Sequence, residues 1–211
     1  MIFDMDGVLV DGEPLHFATV NELLGREGKA ISLDQYKPYM GTKTGWSDMI
    51  ADFGLSQPRE YYSPIYRDLV LERYRTQSAA LPGALSLVTA LRVSGQRIAL
   101  ASSSIRPWVE ACLERIGLSD AFEVSVTGSE IVNGKPDPEI YLQAAAKLGV
   151  PASECLAVED APAGIESAHA AGMTVWAVRT EYTRGLALPG PEREFESLAD
   201  IDIREIVGVA A

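Results

Sequence analysis

Cysteine is scarce: Cys112 and Cys155 are the only two in 211 residues. Both sit among apolar neighbours without CxxC spacing, so they offer no paired-thiol motif and read as buried, reduced side chains in a reducing compartment. Positive charge is also in short supply, with 18 Lys+Arg against 30 Asp+Glu and a net charge of −12 at pH 7. Such a surface repels phosphate backbones and anionic lipid, which argues against nucleic acid and membranes as partners. A small anion stays possible where one local pocket overrides the global sign. Long apolar runs are missing too. The longest uncharged stretch, Thr76–Leu91, is broken by Pro82-Gly83 and is too short to span a bilayer. The start, Met1-Ile2-Phe3-Asp4, meets a charge at once and does not read as a signal peptide. There is no internal repeat and no low-complexity tract.

What is present is ordinary globular material, 47% hydrophobic and 23% charged, enough for one compact domain or a domain carrying a smaller insert. The expectation is a soluble, cytoplasmic protein, monomeric or weakly dimeric. Short apolar runs alternate with helical patterns, which predicts an α/β fold: a Rossmann-like, three-layer parallel sheet covered by helices. The expected strands are Ile2–Asp4, Arg97–Ser102, Phe122–Thr127, Cys155–Glu159 and Thr174–Val178, each nearly continuously apolar, as strands buried on both faces should be. Helices are expected from Pro82-Gly83 to Ser94 and over Arg106–Ile116, Asp137–Leu148 and Ala161–Ala171, each closed by a glycine. Between Asp11 and Leu81 the rhythm breaks: there is no strand pattern, and helical stretches appear around Glu13–Arg26, Leu33–Tyr39, Gly45–Phe53 and Pro58–Arg75. This region is expected to be a helical insert over 12–78, hinged at Gly12 and Ser78-Ala79-Ala80, with the α/β core formed by 1–11 and 79–211.

In open α/β sheets, ligands bind outside the carboxyl ends of the strands. The first strand is followed by Asp4-Met5-Asp6-Gly7 and the second runs into Ser102-Ser103-Ser104. The loop Asn133-Gly134-Lys135-Pro136-Asp137 precedes the fourth strand, which ends in Glu159-Asp160. Four carboxylates converging at one sheet edge repel one another unless a cation sits among them. With only oxygen donors on offer the expected ion is hard and divalent, and Mg²⁺ fits best. A phosphate group would complete its shell, with the Ser102 hydroxyl and Lys135 holding the remaining oxygens. An aspartate beside such a phosphate is a nucleophile, and a second one two residues on can protonate the leaving oxygen and later deprotonate water. Each signal alone is weak, since a DxD pair is often a turn and a lone lysine is usually surface. Their order and their shared place at strand ends make the joint reading strong.

Phe3-Asp4-Met5-Asp6-Gly7-Val8-Leu9-Val10-Asp11 resembles the first signature of the haloacid dehalogenase superfamily. Ala101-Ser102-Ser103-Ser104 resembles its second motif, Gly134-Lys135-Pro136-Asp137-Pro138 its third, and Val158-Glu159-Asp160-Ala161-Pro162-Ala163-Gly164-Ile165 its fourth. The insert falls where that superfamily carries a helical cap, and Glu13-Pro14-Leu15-His16 resembles the subgroup of sugar-phosphate phosphatases and β-phosphoglucomutase. The resemblance implies that Asp4 is the nucleophile and Asp6 the general acid/base. It further implies that Mg²⁺ is held by the Asp4 carboxylate, the Asp6 carbonyl and Asp160, with Glu159 contributing directly or through water. Ser102 and Lys135 would grip the transferring phosphoryl group, and Asp6 points to phosphate esters, because the dehalogenase branch lacks an acid there.

Substrate-binding candidates are Ser103, His16, Lys43 and Arg106. For His16 the alternative is a hinge histidine packed on the core, for Lys43 a solvated loop lysine, and for Arg106 a surface residue. Trp46 and the insert's tyrosines read as helix core. Two departures from the resemblance are Ala161, in place of a serine, and Lys43, where mutase-like sequences carry an arginine near the position of Thr44. The chain also starts almost on the first motif. The implied activity is a Mg²⁺-dependent phosphatase acting on a small phosphomonoester, a sugar phosphate or similar metabolite. A phosphomutase shares all four motifs, and a non-catalytic regulatory relative is the alternative of another class.

Overall fold

The computed structural model describes residues 1–39 and 45–207. Its sheet holds six parallel strands, β1 (Ile2–Phe3), β2 (Ala99–Ser102), β3 (Val124–Thr127), β4 (Leu156–Glu159), β5 (Thr174–Val178) and β6 (Arg193–Phe195). The spatial order is β3-β2-β1-β4-β5-β6. The two residues of β1 pair with Ala99 and Leu100 on one side and with Ala157 and Val158 on the other. The strand order therefore reverses at the β1/β4 boundary, the place where α/β sheets open a crevice at their carboxyl ends. Each expected strand is present, most of them shortened by a residue or two. β6 was not expected: Arg193-Glu194-Phe195 has no apolar run, because as an edge strand it pairs only with β5 and buries only Phe195.

The chain divides into two compact units, one made of Met1–Asp11 and Ser78–Ala211 and the other of Gly12–Gln77. The second unit is helical, with α1 (Glu13–Gly25), α2 (Leu33–Tyr36), a 3₁₀ turn (Lys37–Tyr39), α3 (Gly45–Asp52) and α4 (Arg59–Gln77). Ser32 and Gln35 close a reciprocal capping box at the start of α2, each side chain accepting from the other's backbone N–H. Val20, Leu24, Ile31, Tyr36 and Met49 form its core, flanked by Phe17, Phe53 and Tyr66.

The α/β unit adds α5 (Ala84–Val93), α6 (Arg106–Ile116), α7 (Glu139–Leu148), α8 (Pro162–Ala170) and α9 (Ile203–Val207). The first four of these end alike. After α6, the Leu118 N–H reaches back to the Leu113 carbonyl at 2.8 Å, and the same pattern joins Gln96 to Leu91, Val150 to Ala145 and Met173 to Ala168. These abrupt stops return the chain to the sheet within a few residues. Ile140, Tyr141, Ala144 and Leu148 of α7 and Ile165 and Ala168 of α8 pack with Ile2, Ala99, Ala101, Ala157 and Val175 of the strands into one dry cluster. The strand termini are thereby held rigidly, which is what a site built on them requires.

Candidate active site

Asp4 follows β1 directly, and its N–H donates to the Val158 carbonyl of β4 at 3.0 Å. Adjacent β4 ends in Glu159, with Asp160 next. These three side chains are buried, and each brings an oxygen within 4.8 Å of the others. Lys135 enters the same space from the loop before α7. Its ammonium donates to Asp4 Oδ1 at 2.6 Å, to Glu159 Oε1 at 2.5 Å and to the Ala101 carbonyl of β2 at 3.2 Å. Glu159 is anchored on both oxygens: Oε1 also accepts from the Tyr141 hydroxyl at 2.6 Å, and Oε2 accepts from the Asp160 N–H at 3.1 Å.

Two glycines make this crowding possible. A Cβ on Gly164, in the first turn of α8, would overlap the Glu159 carboxylate. Gly7, whose φ of 82° suits a residue without a side chain, passes so close to Asp160 that a Cβ there would overlap its carboxylate.

The charges do not balance. Three carboxylates share one ammonium, and burial strengthens the mismatch. Burial pushes the Asp4 carboxyl up to about 8, against the pull of Lys135 and with help from Glu159 and Asp6. Asp160 is driven well above the carboxylate range by burial, then by Glu159 and Asp4. For Lys135 burial acts to lower the ammonium's pKa, but Asp4 and Glu159 outweigh it and the net direction is upward. A buried group with surplus negative charge and hard oxygen donors fits a divalent cation.

A family model described as haloacid dehalogenase-like hydrolase matches residues 1–172. The chain belongs to the haloacid dehalogenase-like hydrolases. It is 34% identical over 82% of its length to the phosphorylated carbohydrates phosphatase of Thermotoga maritima, covering 81% of that protein. It is likewise 34% identical over 98% of its length to SUPPRESSOR OF QUENCHING 1, a chloroplastic protein of Arabidopsis thaliana, of which it spans 20%. Among solved structures, CbbY from Rhodobacter sphaeroides in complex with phosphate superposes with a TM-score of 0.84, at 27% identity and covering 94% of both chains. This haloacid dehalogenase-like chain is an enzyme of the phosphoric monoester hydrolase class. Among its described residues, no helix is long and apolar enough to cross a membrane.

The other expected site residues separate into those that join the cluster's surroundings and those that do not. Ser102 ends β2, is buried, and its Oγ accepts from the Ser104 N–H at 3.1 Å. Ser103 is exposed on the same turn. The Asp6 carboxylate stands apart from the three-carboxylate group and accepts from Ser104 Oγ at 2.9 Å. Arg106 is engaged within the α/β unit. Its guanidinium donates to Ser125 Oγ at 2.5 Å and to the Ser125 carbonyl at 3.0 Å, and it pairs with Glu130. Against the upward push of burial, Lys147, Thr127 and Arg106 hold the Glu130 carboxyl down at about 2. Arg106 therefore braces α6 against β3. His16 is built into the helical unit, Nδ1 lying 2.6 Å from the Tyr66 hydroxyl and Nε2 3.2 Å from that of Tyr74. Lys43 lies outside the described residues.

Two participants were missed from the sequence. Tyr141 reads as one more apolar position on the buried face of α7, yet its hydroxyl holds Glu159 and its ring lies 5.0 Å beneath the Lys135 ammonium. Ser104 reads as the tail of a serine run, and no spacing rule separates it from Ser103.

Proposed function

We propose that the chain hydrolyses a small phosphomonoester, a phosphorylated sugar or related metabolite, through an aspartyl-phosphate on Asp4 and with Mg²⁺. The observation that carries this reading is the convergence of Asp4, Glu159 and Asp160 on one lysine, leaving surplus negative charge at the crevice of the sheet. Asp4, Asp160 and the Asp6 backbone carbonyl would hold the cation, with Glu159 contributing directly or through water. When bound, it would neutralise the carboxylates and the phosphoryl oxygens, which makes approach of one anion to another feasible. The relative from Thermotoga maritima is a phosphorylated carbohydrates phosphatase, which supports the substrate class.

The chain's own groups then have distinct tasks. A carboxylate oxygen of Asp4 bonds to phosphorus as the bond from phosphorus to the ester oxygen breaks. Asp6 gives its proton to that departing oxygen. Lys135 and the Ser102 hydroxyl hold the phosphoryl oxygens in line during transfer. In the second half, Asp6 takes a proton from water, the resulting hydroxide bonds to phosphorus, and Asp4 is released as a carboxylate with inorganic phosphate. The helical unit acts as the family's cap and selects the leaving group. Asp4→Asn is expected to cut Mg²⁺-dependent phosphate release from p-nitrophenyl phosphate by at least about 10³-fold, the scale of losing a covalent nucleophile. Release at the wild-type rate by this variant would overturn the assignment.

A further inference from the structure

Ser104 holds an unusual station. It is buried, its hydroxyl donates to Asp6 Oδ2 at 2.9 Å, and its N–H donates to Ser102 Oγ at 3.1 Å. Its carbonyl accepts from the Gly128 N–H at 2.9 Å, so its backbone is fastened on both sides. Gly128 passes so close beneath this turn that a Cβ there would overlap the Ser103 carbonyl. One residue thus ties the hydroxyl expected to grip phosphate to the carboxyl expected to move the proton.

Resting on the function proposed above, we infer that Ser104 is a positioning residue of the acid/base: its hydroxyl, donating to Oδ2, holds the Asp6 carboxyl in the orientation from which it exchanges the proton with the ester oxygen and later with water. A carboxyl on a mobile residue samples several rotamers, and only those within hydrogen-bond reach of the leaving oxygen assist its departure. A donor to Oδ2 narrows the rotamers the carboxyl samples. The N–H bond to Ser102 Oγ occupies one acceptor site of that hydroxyl and leaves its O–H available as a donor. The turn Ser102-Ser103-Ser104 therefore sets the phosphoryl grip and the proton donor in one geometry.

The test exploits the leaving group. An aryl phosphate such as p-nitrophenyl phosphate departs as a stable phenolate and needs little protonation, whereas an alkyl phosphate such as glycerol 2-phosphate must receive a proton. In Ser104→Ala, kcat/KM for the alkyl ester is expected to fall roughly tenfold to a hundredfold, a part of what a general acid supplies, while that for the aryl ester holds within about twofold. Ser104→Thr, which keeps the hydroxyl, restores the alkyl activity. Asp6→Ala shows the same bias toward the aryl ester, and adding Ser104→Ala to it causes no further loss. Equal losses on both esters, or none on either, would overturn the inference, and circular dichroism with thermal melting checks that the variant is folded. A wild type inactive on both esters would sink the phosphatase reading and this inference with it, whereas an active wild type with equal losses in the variant sinks this inference alone.

Discussion

The two units of the chain treat polar groups in opposite ways. In the α/β unit the buried polar side chains include Asp4, Glu159 and Asp160, three acids whose charge one lysine cannot match. In the helical unit, among the described residues, the fully buried polar side chain is Thr19, and it is satisfied locally: its hydroxyl donates to the Leu15 carbonyl at 2.8 Å and accepts from Arg73 Nε at 2.9 Å. Other polar groups there are likewise engaged within the unit, His16 by Tyr66 and Tyr74, Glu27 by Ser56 and Tyr62. Electrostatic imbalance costs stability and persists where it serves chemistry. The difference places the charge imbalance in the α/β unit, among the residues proposed for the reaction.

The sharpest way to break this comparison is to remove the one cation from the three acids. Lys135→Ala is expected to destabilise the protein by about 3–5 kcal/mol, the cost of stranding buried charge. Millimolar Mg²⁺ should recover part of the loss in a thermal melt. A variant as stable as wild type without metal would mean that the carboxylates are not in conflict.

Gly164→Ala should have a smaller effect. The new methyl group meets a carboxylate already fixed by Lys135 and Tyr141, so overpacking should cost about 1–3 kcal/mol, partly offset by the better helix propensity of alanine. Its affinity for Mg²⁺, measured by calorimetry, is expected to weaken several-fold. An undisturbed affinity would show that Glu159 does not help to form the cation site. Smallest at the site is His16→Ala. It should lower stability in urea by about 1–2 kcal/mol through the two tyrosine hydroxyls left without this partner, with kcat/KM on p-nitrophenyl phosphate unchanged. A large loss of turnover with intact stability would move chemistry into the helical unit.

Much of this architecture can be read from the residues because strong local signals agree with the global fold. The run of helices stopped by glycine and followed by apolar strands announces the βα repeat, and the motifs at strand ends announce where charge gathers. Position in the sheet explains how Asp4 meets Glu159, since β1 and β4 are neighbours despite their separation in sequence. What escaped has physical reasons. β6 is an edge strand and carries charge where a central strand would be apolar. Tyr141 satisfies the apolar period of α7 with its ring and works with its hydroxyl, so periodicity hides it. Arg106 looks like a site cation by its place after the serines, yet its guanidinium turns to Ser125 and Glu130, a choice made by tertiary contacts.

The central position of β1 has a consequence for biosynthesis. Phe3 finds one neighbour only when Leu100 has been made and the other only when Val158 has been made. At a translation rate of about 5–20 residues per second, β1 waits roughly 8–30 seconds before both its edges can be covered. Asp4, the residue proposed as nucleophile, therefore lacks Glu159 and Asp160, its neighbours at the end of β4, for most of that interval.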